Sequence, residues 1–365
     1  MVLNILAMIA ASVTLAVIPF SSFANNKADV EKMEKKPLVI EDQGSFTVGG
    51  RIIKEPGTYD ESHALSGTGQ EKHVDHGYVF YQVPVNAKKV SLVFLHGAGQ
   101  SGASFETTPD GREGFQTIFL RKGYPVYLMD QPRRGRAGAS GVAGEVKPAA
   151  DEALWFDIFR FGHYPKYFDH VQIPHSKEAE AQFWQKGTPN TGAFDPKLSA
   201  HALSAAVDRA GPSVLVTHSQ GGLPGWLAAM DNDKVKGIIA LEPGVGFVFP
   251  KSEAPAPLPS SSPFGPLAPY PVDVEEFLKL TKIPILMIFG DNIPDRPSPH
   301  GGQDNWRVRL EEARLMAETI NRHGGHAEVL HLPDIGIYGN THFLFEDRNN
   351  KQIAGIMEKW LEKVL

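Results

Sequence analysis

Short apolar runs alternate with amphipathic helical segments along most of this chain, and this alternation limits the folds open to it. Runs such as VSLVFL, YPVYLMD, SVLVTHS and IPILMIF are rich in β-branched and aliphatic residues and end in turns, as buried strands do. REGFQTIFLRKG and the closing KQIAGIMEKWLEKVL have helical spacing instead. Strands joined by crossover helices pair in parallel. The order therefore predicts an α/β fold with a mostly parallel central sheet and helices on both faces.

Two stretches interrupt this alternation. Residues 138–195 are rich in aromatic side chains, and residues 244–275 are rich in proline and serine. Each follows the carboxyl end of a predicted strand, the edge at which open α/β sheets hold their ligand sites. We expect both to be cap insertions over a pocket. For the second, a core-packed helix with a disordered loop is an open alternative.

The N-terminal segment predicts export. Residues 1–24 carry no charged side chain, have an apolar middle and end in Ser22-Phe23-Ala24, a small-x-small sequence that a signal peptidase recognises. We predict a signal peptide over 1–24, a flexible segment over 25–43 and one folded domain over 44–365. The chain has no Asn-x-Ser/Thr sequon, which favours a bacterial protein, periplasmic or secreted. An uncleaved membrane anchor is the alternative, because the segment lacks an early lysine or arginine.

Charge and cysteine content exclude several function classes. Lysine and arginine number 36 against 42 aspartates and glutamates, and no basic cluster occurs, so we expect no nucleic-acid partner. The chain has no cysteine and therefore no disulfide, thiolate metal site or catalytic thiol. His73 and His76 have a spacing that could suit a metal, but we expect them in a polar loop without a third ligand. We expect neither a metal nor an organic cofactor.

Ser219 lies where a buried strand gives way to a helix. A nucleophile elbow needs such a strand-turn-helix junction, with small residues two positions before and after the serine. Gly221 meets this requirement, whereas Thr217 is larger than the usual residue and weakens the match. Ser219 is thus a candidate nucleophile, with a structural turn as the alternative.

A serine nucleophile requires a base and a group that orients the base. His342 follows the last predicted strand, AEVLHLP, where the histidine of the chain order Ser, acid, His belongs. Two carboxylates end neighbouring strands: Glu242 ends the sixth and Asp291 the seventh, if the Ser219 strand is counted as the fifth. Either carboxylate could reach the histidine from its strand, although the commonest arrangement of this fold would choose Asp291. In the alternative, either could cap the following turn.

A tetrahedral intermediate also needs backbone N–H donors for its oxyanion. The first donor expected is Gln220, directly after the serine. The second is Ala98 in the HGAG turn that follows the third strand, where glycines let the backbone approach closely. The alternative for this turn is a purely structural connection between strand and helix.

Taken together, these residues resemble an α/β-hydrolase, and more closely a small family of secreted bacterial carboxylesterases. The segments that carry the resemblance are GSFTVGGR, HGAGQSGASFETTPDGREGFQTIFLRKGYPVYLMDQPRRGRAG, IFRFG-x-YP, THSQGG, LEPG, FGDN and GNTHFLFEDRNN, in the same order from about Gly44 onward. The resemblance implies a triad of Ser219, Glu242 and His342, which favours Glu242 over Asp291. Well-known members have adjacent cysteines where this chain has Ala98-Gly99.

We therefore predict a serine carboxylester hydrolase that acts through an acyl-enzyme on an apolar or aromatic small-molecule ester, a preference indicated by the aromatic insertion. An amidase, peptidase, lactonase or acyltransferase would use the same triad. A non-catalytic binding protein on this fold is the alternative from another class. The oligomeric state stays open, a homodimer included.

Overall fold

An eight-stranded sheet forms the centre of this protein in a computed structural model that describes residues 37–146 and 148–365. The strands are β1 Ile40–Lys54, β2 Glu71–Pro84, β3 Ser91–Leu95, β4 Val126–Asp130, β5 Ser213–His218, β6 Val235–Leu241, β7 Pro284–Phe289 and β8 His326–His331. They lie in the order β1-β2-β4-β3-β5-β6-β7-β8. β2 pairs antiparallel with β1 and β4, and every pair from β4 to β8 is parallel. The predicted mostly parallel sheet is confirmed.

Helices cover both faces of this sheet. They are α1 Phe115–Arg121, α2 Glu152–Ile158, α3 Lys177–Gln185, α4 Pro196–Ala210, α5 Gly222–Asp231, α6 Val274–Leu280, α7 Gly301–Arg322 and α8 Asn350–Val364. Side chains of β3 alternate between the faces: Val93 belongs to the core cluster that includes α4, α5 and α7, whereas its neighbour Phe94 belongs to the cluster that includes α1 and α8. Because β3 and β5 are buried along their whole length, their apolar runs continue without polar breaks.

The folded unit begins slightly earlier than the sequence predicts. Residues 38–365 form one compact unit, and β1 starts at Ile40, so the predicted boundary at residue 44 falls inside a strand. The predicted signal peptide over 1–24 and most of the predicted flexible segment over 25–43 lie outside the described residues. No helix in the described ranges is long and apolar enough to cross a membrane.

The two insertions are built differently. Residues 138–195 contain α2, α3 and a two-stranded hairpin, and they line the cavity described below. Residues 244–275 contain two short strands, Val248–Pro250 and Tyr270–Val272, which pair in parallel. Phe247 and Phe249 of this second insertion are buried in the core beside α5, α6 and α7. It therefore packs partly as core, and the core-packed helix α6 begins within its last two residues. None of residues 244–275 is among the described residues lining the cavity.

Candidate active site

Ser219 occupies a sharp turn between strand and helix. β5 ends at His218, a 3-10 turn spans Ser219–Gly221, and α5 begins at Gly222. The φ of Ser219 is 52°, a left-handed value that a non-glycine residue keeps only where its surroundings enforce it. A Cβ on Gly221 would lie 2.8 Å from the carbonyl oxygen of His96, so this position requires glycine. The THSQG segment thus has the geometry of a nucleophile elbow.

Thr217, the large residue two positions before Ser219, is accommodated by Gly225. A Cβ on Gly225, within α5, would lie 2.6 Å from Cγ2 of Thr217. The threonine methyl therefore occupies the space that a side chain at position 225 would need. Sequence reasoning counted Thr217 against the elbow and missed Gly225, whose spacing of eight residues from Thr217 gives no signal before the helix is placed against the strand.

His342 and Glu242 form a buried pair. His342 Nδ1 lies 3.4 Å from Glu242 Oε2, and His342 is 2% exposed while Glu242 is fully buried. The His342 ring is enclosed by aromatic groups, with the ring centre of Trp306 4.2 Å away and that of Phe159 5.5 Å away. Burial lowers the pKa of His342 well below its usual value, and the charges of Arg160 and Arg309 lower it further. A neutral imidazole is therefore the resting form, as a general base requires.

Asp291, the competing carboxylate, bonds to backbone N–H groups instead of to this pair. Its Oδ1 accepts a hydrogen bond of 2.6 Å from the N–H of Asn292, and its Oδ2 accepts one of 2.6 Å from the N–H of Gly339. The first bond lies within the turn after β7 and the second holds the backbone three residues before His342, so neither involves the imidazole. Of the two candidates left open by strand position, Glu242 is the one placed against His342 Nδ1.

The HGAG turn lies directly against the serine. A Cβ on Gly97 would lie 2.7 Å from Cβ of Ser219. Arg134 ties the turn to the helix start, since its Nη1 donates to the carbonyl oxygen of Gly97 at 2.7 Å and its Nη2 to Oε1 of Gln220 at 2.6 Å. Burial lowers the pKa of Arg134 to about 10, so it stays charged at neutral pH. The two predicted donor positions, Ala98 and Gln220, are thereby held by one side chain that sequence reasoning missed.

His218 connects the same turn to His342. Its Nδ1 lies 3.0 Å from Oε1 of Gln100, and its Nε2 lies 2.9 Å from the carbonyl oxygen of His342. Gln100 Oε1 also accepts the N–H of Gly97 at 3.0 Å. Burial lowers the pKa of His218 well below its usual value, and a neutral ring donates to only one of its two acceptors. The residue next to Ser219 thus lies between the side chain of Gln100 and the backbone of His342.

A cavity of about 520 Å³ lies beside the HGAG turn. Residues 98–100 form part of its wall, and its aromatic lining consists of Trp155, Phe159, Phe183, Trp184 and Phe343. An ion pair between half-buried Lys186 and buried Glu346 adds a polar patch: Lys186 Nζ donates to Glu346 Oε1 at 3.0 Å and to the carbonyl oxygen of Thr107. Glu346 Oε2 has no hydrogen-bond partner within the described residues, and burial raises the pKa of Glu346 to about 7. The cavity therefore suits a largely apolar ligand.

No metal centre accompanies these groups in the part of the chain that the structure describes. There, no three histidine, aspartate or glutamate side chains lie close enough to hold a metal ion. His73 and His76, whose spacing drew attention in the sequence, both lie on β2, where they pair with Ile52 and Gly49 of β1. They lie in a strand rather than in the polar loop expected from the sequence.

Comparison with known proteins agrees with this architecture. The sequence model of the Alpha/beta hydrolase family matches residues 92–361. The chain is 30% identical over 334 residues to the probable secreted lipase phiG of a fungal species (strain ATCC 74256). The aligned region covers 78% of this chain and 85% of that protein. A solved bacterial esterase structure shares 30% identity with a TM-score of 0.70, over 90% of this chain and 97% of that one. This chain therefore belongs to the alpha/beta hydrolase family.

Proposed function

We propose that the protein is a serine hydrolase of carboxylic esters, with Ser219 as nucleophile, His342 as general base and acid, and Glu242 as the orienting acid. The observation that carries the proposal is the junction itself: a serine held at a left-handed φ, next to a histidine whose Nε2 lies 2.9 Å from the backbone of a buried His–Glu pair. The esterase and lipase names of two relatives at 30% identity support ester chemistry.

The proposed reaction has two halves. Ser219 Oγ attacks the ester carbonyl carbon while His342 Nε2 takes its proton, and the N–H groups of Gln220 and Ala98 stabilise the oxyanion. The C–O bond to the alcohol breaks, and His342 returns the proton to the leaving oxygen. Water then attacks the acyl-enzyme by the same route, which releases the acid and restores Ser219. Glu242 holds Nδ1–H of His342 and stabilises the imidazolium that forms in each half.

The cavity supports an apolar or aromatic ester as substrate. Five aromatic side chains form much of the apolar lining, and three of its four charged residues, Asp151, Glu152, Lys186 and Glu346, are acidic, which disfavours an anionic ester. Phe159 and Phe343 line the cavity and also pack against the His342 ring. An ester that fills the cavity would therefore lie next to the proposed base.

The test is hydrolysis of nitrophenyl acetate, butyrate and benzoate by protein expressed from Asn25 onward, the start that cleavage after Ala24 would leave. We expect Ser219→Ala to lose at least about 10⁴ in kcat, because removing a triad member has that effect. Ser252→Ala, which changes an exposed serine, is the matched control.

A Ser219→Ala variant that keeps more than about a hundredth of the wild-type rate would refute the proposed nucleophile. If the wild type hydrolyses none of the esters, labelling by a fluorophosphonate distinguishes two cases. Labelling at Ser219 indicates an activated serine with another acyl substrate, such as an amide or lactone. Absence of labelling indicates a binding protein on this fold.

A further inference from the structure

The segment Ile158–Arg160 of the first insertion contacts both residues of the His342–Glu242 pair. The carbonyl oxygen of Phe159 accepts the N–H of His342 at 3.1 Å, and the two rings lie nearly parallel, at an angle of 15°. The carbonyl oxygen of Ile158 accepts Nε1–H of Trp306 at 2.6 Å, and the Trp306 ring covers the His342 ring from another side. Part of the chain predicted as a cap therefore supports the candidate base.

Arg160 completes this arrangement from the acid's side. Its Nη2 donates to Glu242 Oε1 at 2.7 Å and its Nη1 to Glu242 Oε2 at 3.1 Å, and both side chains are fully buried. Nε donates to the carbonyl oxygen of Asp291 at 2.7 Å. Such a two-pronged pairing fixes the plane of a carboxylate, which a lysine cannot do because its ammonium is a point charge. The third contact fixes the guanidinium itself.

The pairing also changes the charge that His342 meets. Glu242 Oε2 is shared between Arg160 at 3.1 Å and His342 Nδ1 at 3.4 Å, so the shorter contact is to the guanidinium. The other ionisable groups near the imidazole are His218, with a ring-centre distance of 4.4 Å, and Arg309, whose guanidinium lies 5.5 Å from the ring centre of Trp306. Arg160 and Arg309 disfavour an imidazolium and Glu242 favours it. Removing Arg160 would leave the carboxylate unbalanced beside His342.

We propose that Arg160 is a positioning residue for the proposed hydrolysis: it fixes the Glu242 carboxylate and moderates its pull on His342, so that the imidazole stays unprotonated and able to act as base in mildly acidic solution. This inference rests on the proposed function. It predicts two separable effects, one on geometry and one on the pH at which activity is lost.

The experiment compares Arg160→Met, Arg160→Lys and wild type in kcat and in the pH dependence of kcat/KM between pH 4 and 9, with a nitrophenyl ester. Arg160→Met should lose at least about tenfold in kcat, and the acid limb of kcat/KM should move up by about one pH unit, because an unbalanced carboxylate makes His342 easier to protonate. Arg160→Lys keeps the cation, so its acid limb should stay nearer that of the wild type while kcat still falls about tenfold.

Arg133→Met is the matched control, since Arg133 forms a similar buried pair with Asp75 at 2.8 Å. Within the described residues its side chain bonds to Asp75 and to the carbonyl oxygen of Ala193, and not to Glu242 or His342. It should be destabilised without any movement of the acid limb. Circular dichroism at the assay temperature checks that each variant is folded. An acid limb of Arg160→Met that coincides with those of Arg133→Met and wild type overturns the electrostatic part of the proposal.

Arg160→Lys decides the geometric part even if Arg160→Met fails to fold: a lysine variant with wild-type kcat shows that the two-pronged contact is unnecessary. If wild type hydrolyses no ester, the rate of fluorophosphonate labelling against pH replaces kcat/KM, because labelling needs the same base. A wild type that neither hydrolyses nor labels overturns the proposed function and this inference together. If wild type hydrolyses the ester and the Arg160 variants keep the wild-type kcat and acid limb, this inference alone is overturned.

Discussion

Replacing the carboxylate of Glu242 by an amide should disable the proposed enzyme, whereas the same change at Asp291 should not. In Glu242→Gln, one carboxylate oxygen becomes an NH₂ group. At the Oε1 position this group would face two donors, Arg160 Nη2 and the N–H of Gly290 at 2.5 Å. At the Oε2 position it faces Arg160 Nη1 and His342 Nδ1. The second placement leaves the stronger contacts intact and puts a donor against His342.

His342 must then accept at Nδ1 and carry its proton on Nε2, the atom that has to receive the proton of Ser219. Holding the base in the wrong tautomer costs about 10⁴ in kcat in a serine protease triad, which corresponds to roughly 5 kcal/mol of transition-state stabilisation. The variant also leaves the buried Arg160 without a counter-charge, a change that destabilises a protein by about 3–5 kcal/mol. Unfolding in urea must therefore be measured beside the kinetics.

Asp291→Asn provides the comparison. The asparagine can still accept one of the two N–H bonds from Asn292 and Gly339, and neither bond reaches the imidazole. Losing a hydrogen bond to a charged group costs roughly 1.5–3 kcal/mol of stability. We expect kcat to fall by less than about tenfold, through slight displacement of the loop before His342. Equal losses in the two variants, or a larger loss at Asp291, would refute the assignment of Glu242 as the orienting acid.

Two further predictions concern packing and burial. Gly225→Ala should lower stability and kcat because the new Cβ meets the methyl of Thr217, and adding Thr217→Ser should restore both. Urea unfolding of wild type, the two single variants and the double variant should give a coupling energy of about 1–3 kcal/mol. Losses of stability that simply add would argue against this contact. Burial raises the pKa of Glu346 to about 7, so the folded protein binds this proton more tightly than the unfolded chain does. Wild type should therefore lose stability as the pH rises from about 4.5 to 7. The melting temperature of Glu346→Gln, relative to wild type, should therefore be higher at pH 8 than at pH 4.5, and a constant difference would contradict a buried, unpaired oxygen.

The positions of the candidate residues along the sheet were predictable because they depend on local patterns. An apolar strand that ends in a glycine-rich turn places Ser219 and the HGAG turn on one edge, and a loop after the last strand brings His342 there. Strand rank also placed Glu242 and Asp291 correctly, on the sixth and seventh strands of the sheet. The order of the strands could not decide which carboxylate contacts His342, because Glu242 and Asp291 both lie at the same edge of the sheet. Only the contacts of each side chain distinguish them. The catalytic roles themselves stay predictions until measured.

The supporting contacts were not predictable, since each joins segments far apart in the chain. Arg160 lies 82 residues from Glu242, in an insertion without clear periodicity. A charged residue there is expected to face solvent unless its partner is known. Arg134 follows Arg133 in the sequence, and a basic pair of this kind is likewise expected to face solvent. Phe247 and Phe249 were assigned to a cap by the proline and serine around them, and only the folded structure shows them in the core.

The route of residues 138–195 limits how this protein can be redesigned. In a modular enzyme, the segment that selects the substrate can be exchanged while the reactive groups stay in place. Here one continuous segment supplies Trp155 and Trp184 to the cavity and, between them, Arg160 to Glu242. A chimera that receives this whole segment from another hydrolase would alter substrate choice and the support of the acid at once. Exchanges that change selectivity alone should leave 158–160 in place and join the foreign sequence on either side of it.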